Sequence, residues 1–92
     1  MRQFDWNDDK SQALKAERGV SFEDVVFHLA AGGLLDVLDP PNPGAYPGQR
    51  ILIVGIDGYA FVVSFVADGD VLFLKTIIPS RKMTKRYLGD KR

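Results

Sequence analysis

Between Ile51 and Ile78 three apolar runs are separated by Asp57-Gly58 and Asp68-Gly69, a rhythm that restricts the middle of the chain to an antiparallel meander. The reason is geometric. A two-residue type I′ turn needs positive φ at both central positions, which glycine adopts freely and aspartate tolerates. The strands are read as Ile51–Ile56, Tyr59–Val66 and Val71–Ile78, with a shorter one at Leu34–Leu38 before the Pro/Gly-rich loop Asp39–Gly48. The middle run is apolar on both faces, with Tyr59, Phe61, Val63 and Phe65 on one and Ala60, Val62 and Val66 on the other. Helices are expected over one side of the sheet. The other side needs a further shield, for which a partner protein is one candidate.

Before the meander the period is helical. Asn7 is placed to cap a helix Asp8–Glu17, whose first-turn acids Asp8 and Asp9 complement its dipole and which Gly19 closes. Ser21 and Asp24 have capping-box spacing, and Val20 and Val25 that of a hydrophobic staple. The helix Phe22–Ala31 they start carries Phe22, Val25, Val26 and Leu29 on one stripe and stops at Gly32-Gly33. Phe4 and Trp6 are core anchors. After the meander, Pro79 ends the last strand, Ser80 caps, and a short basic helix Arg81–Leu88 runs to Gly89. The expected fold is therefore α+β. Two N-terminal helices precede an antiparallel sheet of about four strands and a short basic C-terminal helix. A chain of 92 residues, 46% apolar, makes one domain that buries roughly 60–65% of its unfolded surface.

Charge is distributed unevenly. Lys75, Arg81, Lys82, Lys85, Arg86, Lys91 and Arg92 oppose only Asp90, so residues 75–92 carry +6 while the rest of the chain, with 5 basic and 11 acidic side chains, carries −6. A dense cationic surface attracts polyanions such as RNA; the plain alternative is a solvated basic tail. The absence of cysteine excludes disulfides, thiolate metal sites and a thiol nucleophile. One histidine is poor material for a metal, and no cofactor is expected. No apolar run reaches the ~18 residues of a membrane span and the N-terminus lacks the pattern of a signal peptide, which makes a cytoplasmic location the default expectation.

The terminal helix conflicts with its own local rules. Arg81 and Lys82 in a first turn oppose the helix dipole, each costing about 0.3–1 kcal/mol. Arg81/Lys85 and Lys82/Arg86 are like charges at i,i+4, costing about 0.2–0.5 kcal/mol per pair. An anion near Ser80–Lys82 would relieve both, as would an acidic partner protein. Lys75 stands in an apolar strand, on the face expected for Phe73 and Ile77. It either snorkels to the rim or presents a rigidly held cation to a cleft. His28 falls at the border of its helix's apolar stripe, which suits packing better than general-base work. No nucleophile–base–acid triad can be assembled. RNA, however, carries its own nucleophile in the 2′-hydroxyl, so fixed cations that stabilise a phosphorane-like transition state are a sufficient start. Tyr87, Ser80 and Thr84 are candidate hydrogen-bonding helpers.

Three segments together resemble the BrnT family of bacterial toxins. They are Phe4-Asp5-Trp6 with Lys10, Arg18-Gly19-Val20-Ser21-Phe22-Glu23, and Ile77-Ile78-Pro79-Ser80-Arg81-Lys82-Met83-Thr84 with Tyr87. The family pattern runs F-x-W-D-x-x-K, then K-H-G-V-S-F-E, a stranded middle, and S-A-R-K-A-T before a tyrosine. Lys10, Arg81, Lys82 and Thr84 match it, and Tyr87 fits approximately. Arg18 stands for the family's histidine, Glu17 for a lysine and Leu14 for an asparagine. The strand arginine is missing at Thr76, with Lys75 one place away, and Pro79 replaces a serine. The resemblance implies a divergent RelE-like ribonuclease, the toxin of a type II toxin–antitoxin pair, held by a BrnA-like antitoxin. Combining the residues that match the pattern with the charge and strand reading above, the catalytic candidates are Lys75, Arg81, Lys82 and Tyr87, and the candidate RNA contacts are Lys10, Arg18, Ser80, Thr84, Lys85 and Arg86. Homo-oligomers or a hetero-complex with the antitoxin are the expected assemblies. A non-catalytic module for nucleic acid or an acidic protein is the alternative.

Overall fold

A computed structural model describes residues 3–39, 44 and 48–89. The order is β1 (Gln3–Asp5), α1 (Asp8–Arg18), α2 (Phe22–Ala30), β2 (Leu34–Leu38), β3 (Gln49–Ile56), β4 (Tyr59–Asp68), β5 (Val71–Pro79) and a terminal segment of α3 (Arg81–Met83) followed by a π-helical turn, Thr84–Leu88. The fold is α+β. Most of the loop at 39–48 and the cations Lys91 and Arg92, with Asp90, lie outside the described residues.

The meander forms as expected, β2 to β5 each pairing antiparallel with the next. The sheet nevertheless has five strands, in the order β1-β5-β4-β3-β2, because Gln3–Asp5 pairs in parallel with Val71–Phe73. Asp57 at φ 53° and Gly58 at φ 81° make the type I′ turn. The second turn falls one residue later than expected: Asp68 pairs with Val71, so Gly69 at φ 61° and Asp70 are its centre, the glycine-first pattern of a type II′ turn.

Both helices lie on one face of the sheet. Phe22 and Val25 are fully buried against Val54, Val63 and Ile77, with Leu14, Val20, Leu52, Phe61, Phe65, Leu72 and Leu74 around them and Phe4 and Trp6 packed at the margin. The caps are those the sequence supplies. Asn7 accepts from the Lys10 amide at 2.9 Å, and the Ser21–Asp24 box closes reciprocally at 3.1 and 2.9 Å. Ser11 joins the helices, donating to Glu23 and accepting from the Phe22 amide, both at 2.9 Å. The terminal segment packs across β4 on the opposite face, where Ile53 of β3 and Ala60 of β4 are also fully buried, and extends to β2. The second shield is thus partly the chain's own C-terminal segment.

Candidate nucleic-acid interface

Pro79 releases the chain from β5, and Ser80 immediately re-anchors it. The Ser80 amide donates to the Ala60 carbonyl at 3.0 Å, and the Ser80 hydroxyl accepts from the Met83 amide at 3.1 Å. Thr84 completes the clasp, accepting from the Ala60 amide at 2.8 Å and donating to the Ser80 carbonyl at 2.7 Å. One turn on, the Tyr87 hydroxyl donates to Asp36 Oδ2 at 2.5 Å, tying the segment to β2. That bond, with the Val37 amide and the nearby Arg86 charge, holds the Asp36 carboxyl below its usual 3.8. The same bond pushes the Tyr87 hydroxyl above 10.0, so it keeps its proton at neutral pH. Arg86 lies over the Tyr87 ring, 5.6 Å from its centre.

The cations this clasp presents are Arg81, Lys82, Lys85 and Arg86, all exposed. Among the described residues the ion pairs are Lys15–Asp24 at 2.8 Å and Arg50–Asp39 at 3.1 Å, and neither involves the terminal segment. From Val71 to Gly89 the chain has five cations, these four and Lys75, and no acid. The π turn changes their spacing: its closing bond runs from the Gly89 amide to the Thr84 carbonyl at 3.1 Å, five residues back. The strict i,i+4 repulsion expected for a regular helix therefore does not apply along its whole length.

Lys75 does not share a face with Ile77. The β4–β5 register shifts there, Ser64 pairing with Thr76 and Phe65 with Leu74, so Lys75 is the extra residue of a β-bulge. Before the bulge Leu72 and Leu74 face the helices; after it Ile77 does. Lys75 is turned out beside Phe73, its Nζ 5.1 Å from the ring centre. With Lys10, Asn7, Phe73 and Leu74 it lines a groove of about 400 Å³. Arg18 plays a different part: its guanidinium donates to the Ile77 carbonyl and fastens the end of α1 to β5.

The expected site residues thus fall into two cationic groups and a set of braces. Lys10 and Lys75 share a groove; Arg81, Lys82, Lys85 and Arg86 ride the terminal segment. Ser80, Thr84, Tyr87 and Arg18 are committed to bonds within the protein. Register puts Ser64, Thr76 and Ile78 on the face that bears the terminal segment. There Ser64 and Thr76 hydroxyls meet at 2.6 Å and Ile78 is 48% exposed. A larger apolar groove of about 670 Å³, with Leu29, Leu34, Val37 and Leu72 in its wall, lies on the helix side and involves none of the expected residues. Sequence reasoning missed Asp36, whose signal was an acid inside Leu-Leu-Asp-Val-Leu, Asn7, which already had a sufficient role as a cap, and Phe73, which gives no signal of its own within an apolar strand. Compared with known proteins, the chain matches no family model, and neither a curated protein nor a solved structure matches it significantly.

Proposed function

We propose that this chain is a ribonuclease toxin, RelE-like and similar to the BrnT family, that binds single-stranded RNA across the sheet face bearing the terminal segment. The observation that carries this reading is the run of five cations and no acid between Val71 and Gly89, with its terminal four in no ion pair among the described residues. Arg81 and Lys82 engage phosphates, Lys85 and Arg86 extend the track, and Lys75 stabilises the negative charge that grows on the phosphorane. In the step itself the 2′-oxygen bonds to phosphorus and its proton passes to water. The 5′-oxygen leaves and takes up a proton. Tyr87, protonated and tied to Asp36, positions the segment and does not act as a base. An acidic antitoxin segment is the partner that would neutralise these cations.

Purified protein should degrade a single-stranded RNA, and the double variant Arg81→Ala, Lys82→Ala should lose that activity while keeping its circular dichroism spectrum. A second reading, a non-catalytic nucleic-acid-binding module, draws on the engagement of Ser80, Thr84, Tyr87 and Arg18 in internal bonds, which leaves cations as the main chemistry. Wild-type protein that binds RNA with steep salt dependence and never cuts it would establish that module and end the ribonuclease proposal.

A further inference from the structure

We infer that the groove at the β5 edge is a nucleotide subsite, holding one phosphate between Lys10 and Lys75 and the attached base against Phe73; this rests on the RNA reading above. The groove is a product of topology. β1 ends at Asp5, opposite Phe73, and the chain swings out through Trp6 to start α1. Asn7 and Lys10 are thereby set beside β5 just where it loses its outer neighbour. At the same point the bulge turns Lys75 outward. Bulges commonly re-aim a side chain beside a functional site.

The lining specifies the ligand. Two ammonium groups, one amide, one aromatic ring and Leu74 form the wall, with no carboxylate among the described residues that line it. Its volume of about 400 Å³ lies within the roughly 300–1,000 Å³ usual for small-molecule sites. Neither lysine forms an ion pair among the described residues. Lysine binds phosphate as a mobile point charge, so Lys75 can leave the Phe73 face for the phosphate and uncover the ring. Bases stack on such rings with little regard to sequence. The Asn7 oxygen is used in capping α1, at 2.9 Å from the Lys10 amide, but its NH₂ has no partner among the described residues and can donate to a base carbonyl. A bare anion would leave ring and amide idle. Asp5, the register partner of Phe73, and Asp8 and Asp9, in the first turn of α1, are outside the lining, and their negative charge favours a single phosphate over a polyphosphate.

Titration of isotope-labelled wild-type protein with uridine 3′-monophosphate, followed by amide resonances, tests this directly. Signals of Asn7, Lys10, Phe73 and Lys75 should move and saturate, with inorganic phosphate and free uridine each at least tenfold weaker. Phe73→Leu should abolish the preference for nucleotide over phosphate, and Lys10→Gln with Lys75→Gln should weaken both ligands. Shifts confined to Arg81–Arg86 would overturn the subsite and leave the RNA reading standing. Failure of wild-type protein to bind any single-stranded RNA would remove both. Tighter displacement of the same four signals by an acidic peptide would overturn the subsite in favour of a protein-docking groove.

Discussion

Tyr87 shows how one hydroxyl can join two distant parts of a small fold. Its bond to Asp36 links the C-terminal segment to the outer strand of the sheet, and the two pKa values move apart in consequence. Asp36, depressed below 3.8, contributes stability that is present above that value and is lost as pH falls through the lowered pKa. Tyr87, raised above 10.0, contributes stability that is present below that value and is lost as pH rises through the raised pKa. Tyr87→Phe should therefore lower the melting temperature across the neutral range, and the gap from wild type should narrow at both acid and alkaline ends. Thermal melts across pH that showed an unchanging gap would contradict the assignment. Thr84 makes a separate residue-level case. Thr84→Val strands the Ala60 amide on a fully buried residue and should cost about 1–3 kcal/mol in urea unfolding. Thr84→Ser should retain most of the bond. A variant of normal stability but impaired RNA binding would instead make Thr84 a ligand contact.

Among the elements, the turn from α2 into the sheet is the most tightly constrained. The Gly33 amide donates to the His28 carbonyl at 2.7 Å and its carbonyl accepts from the Gly55 amide at 2.8 Å. A Cβ at Gly33 would meet the His28 oxygen at 2.8 Å and the Gly55 oxygen at 2.9 Å, both backbone atoms with little room to yield. Gly33→Ala should cost about 1–3 kcal/mol, as overpacked sites do, measured as a lower denaturant midpoint. In sequence this glycine reads only as a helix stop; its second role depends on Gly55, brought alongside by folding. The same division runs through the chain. Local signals sufficed for Asn7, Ser21 and Asp57-Gly58, because caps and tight turns are satisfied by near neighbours. They failed for β1, three residues whose strand character comes entirely from Val71–Phe73. They also failed at Lys75, since Val71–Ile78 is apolar on both faces and no alternation marks a bulge. The cations of the candidate site were legible as composition. The groove was not, because Asn7 and Lys10 meet Phe73 and Lys75 only through the parallel β1–β5 pairing.

For the whole molecule the governing quantity is charge separation within a net charge of zero. A neutral particle has no long-range attraction for RNA, so affinity has to come from the cationic pole at short range, where the Debye length of about 8 Å at physiological salt still permits it. The acidic remainder of the chain then discourages RNA from wrapping around the molecule and confines it to one face. Counterion release makes this measurable: each single-strand phosphate neutralised contributes about 0.7 to the slope of log affinity against log salt. Replacing Arg81, Lys82, Lys85 and Arg86 with glutamine should lower that slope by about 2.8, while Lys15→Gln, whose ammonium already faces Asp24 at 2.8 Å, should leave it unchanged. A slope loss of about 0.7 from Lys15→Gln, the same per charge removed as in the fourfold variant, in fluorescence-anisotropy titrations over a salt series would mean that RNA responds to total charge alone, and the terminal segment would then have no special standing.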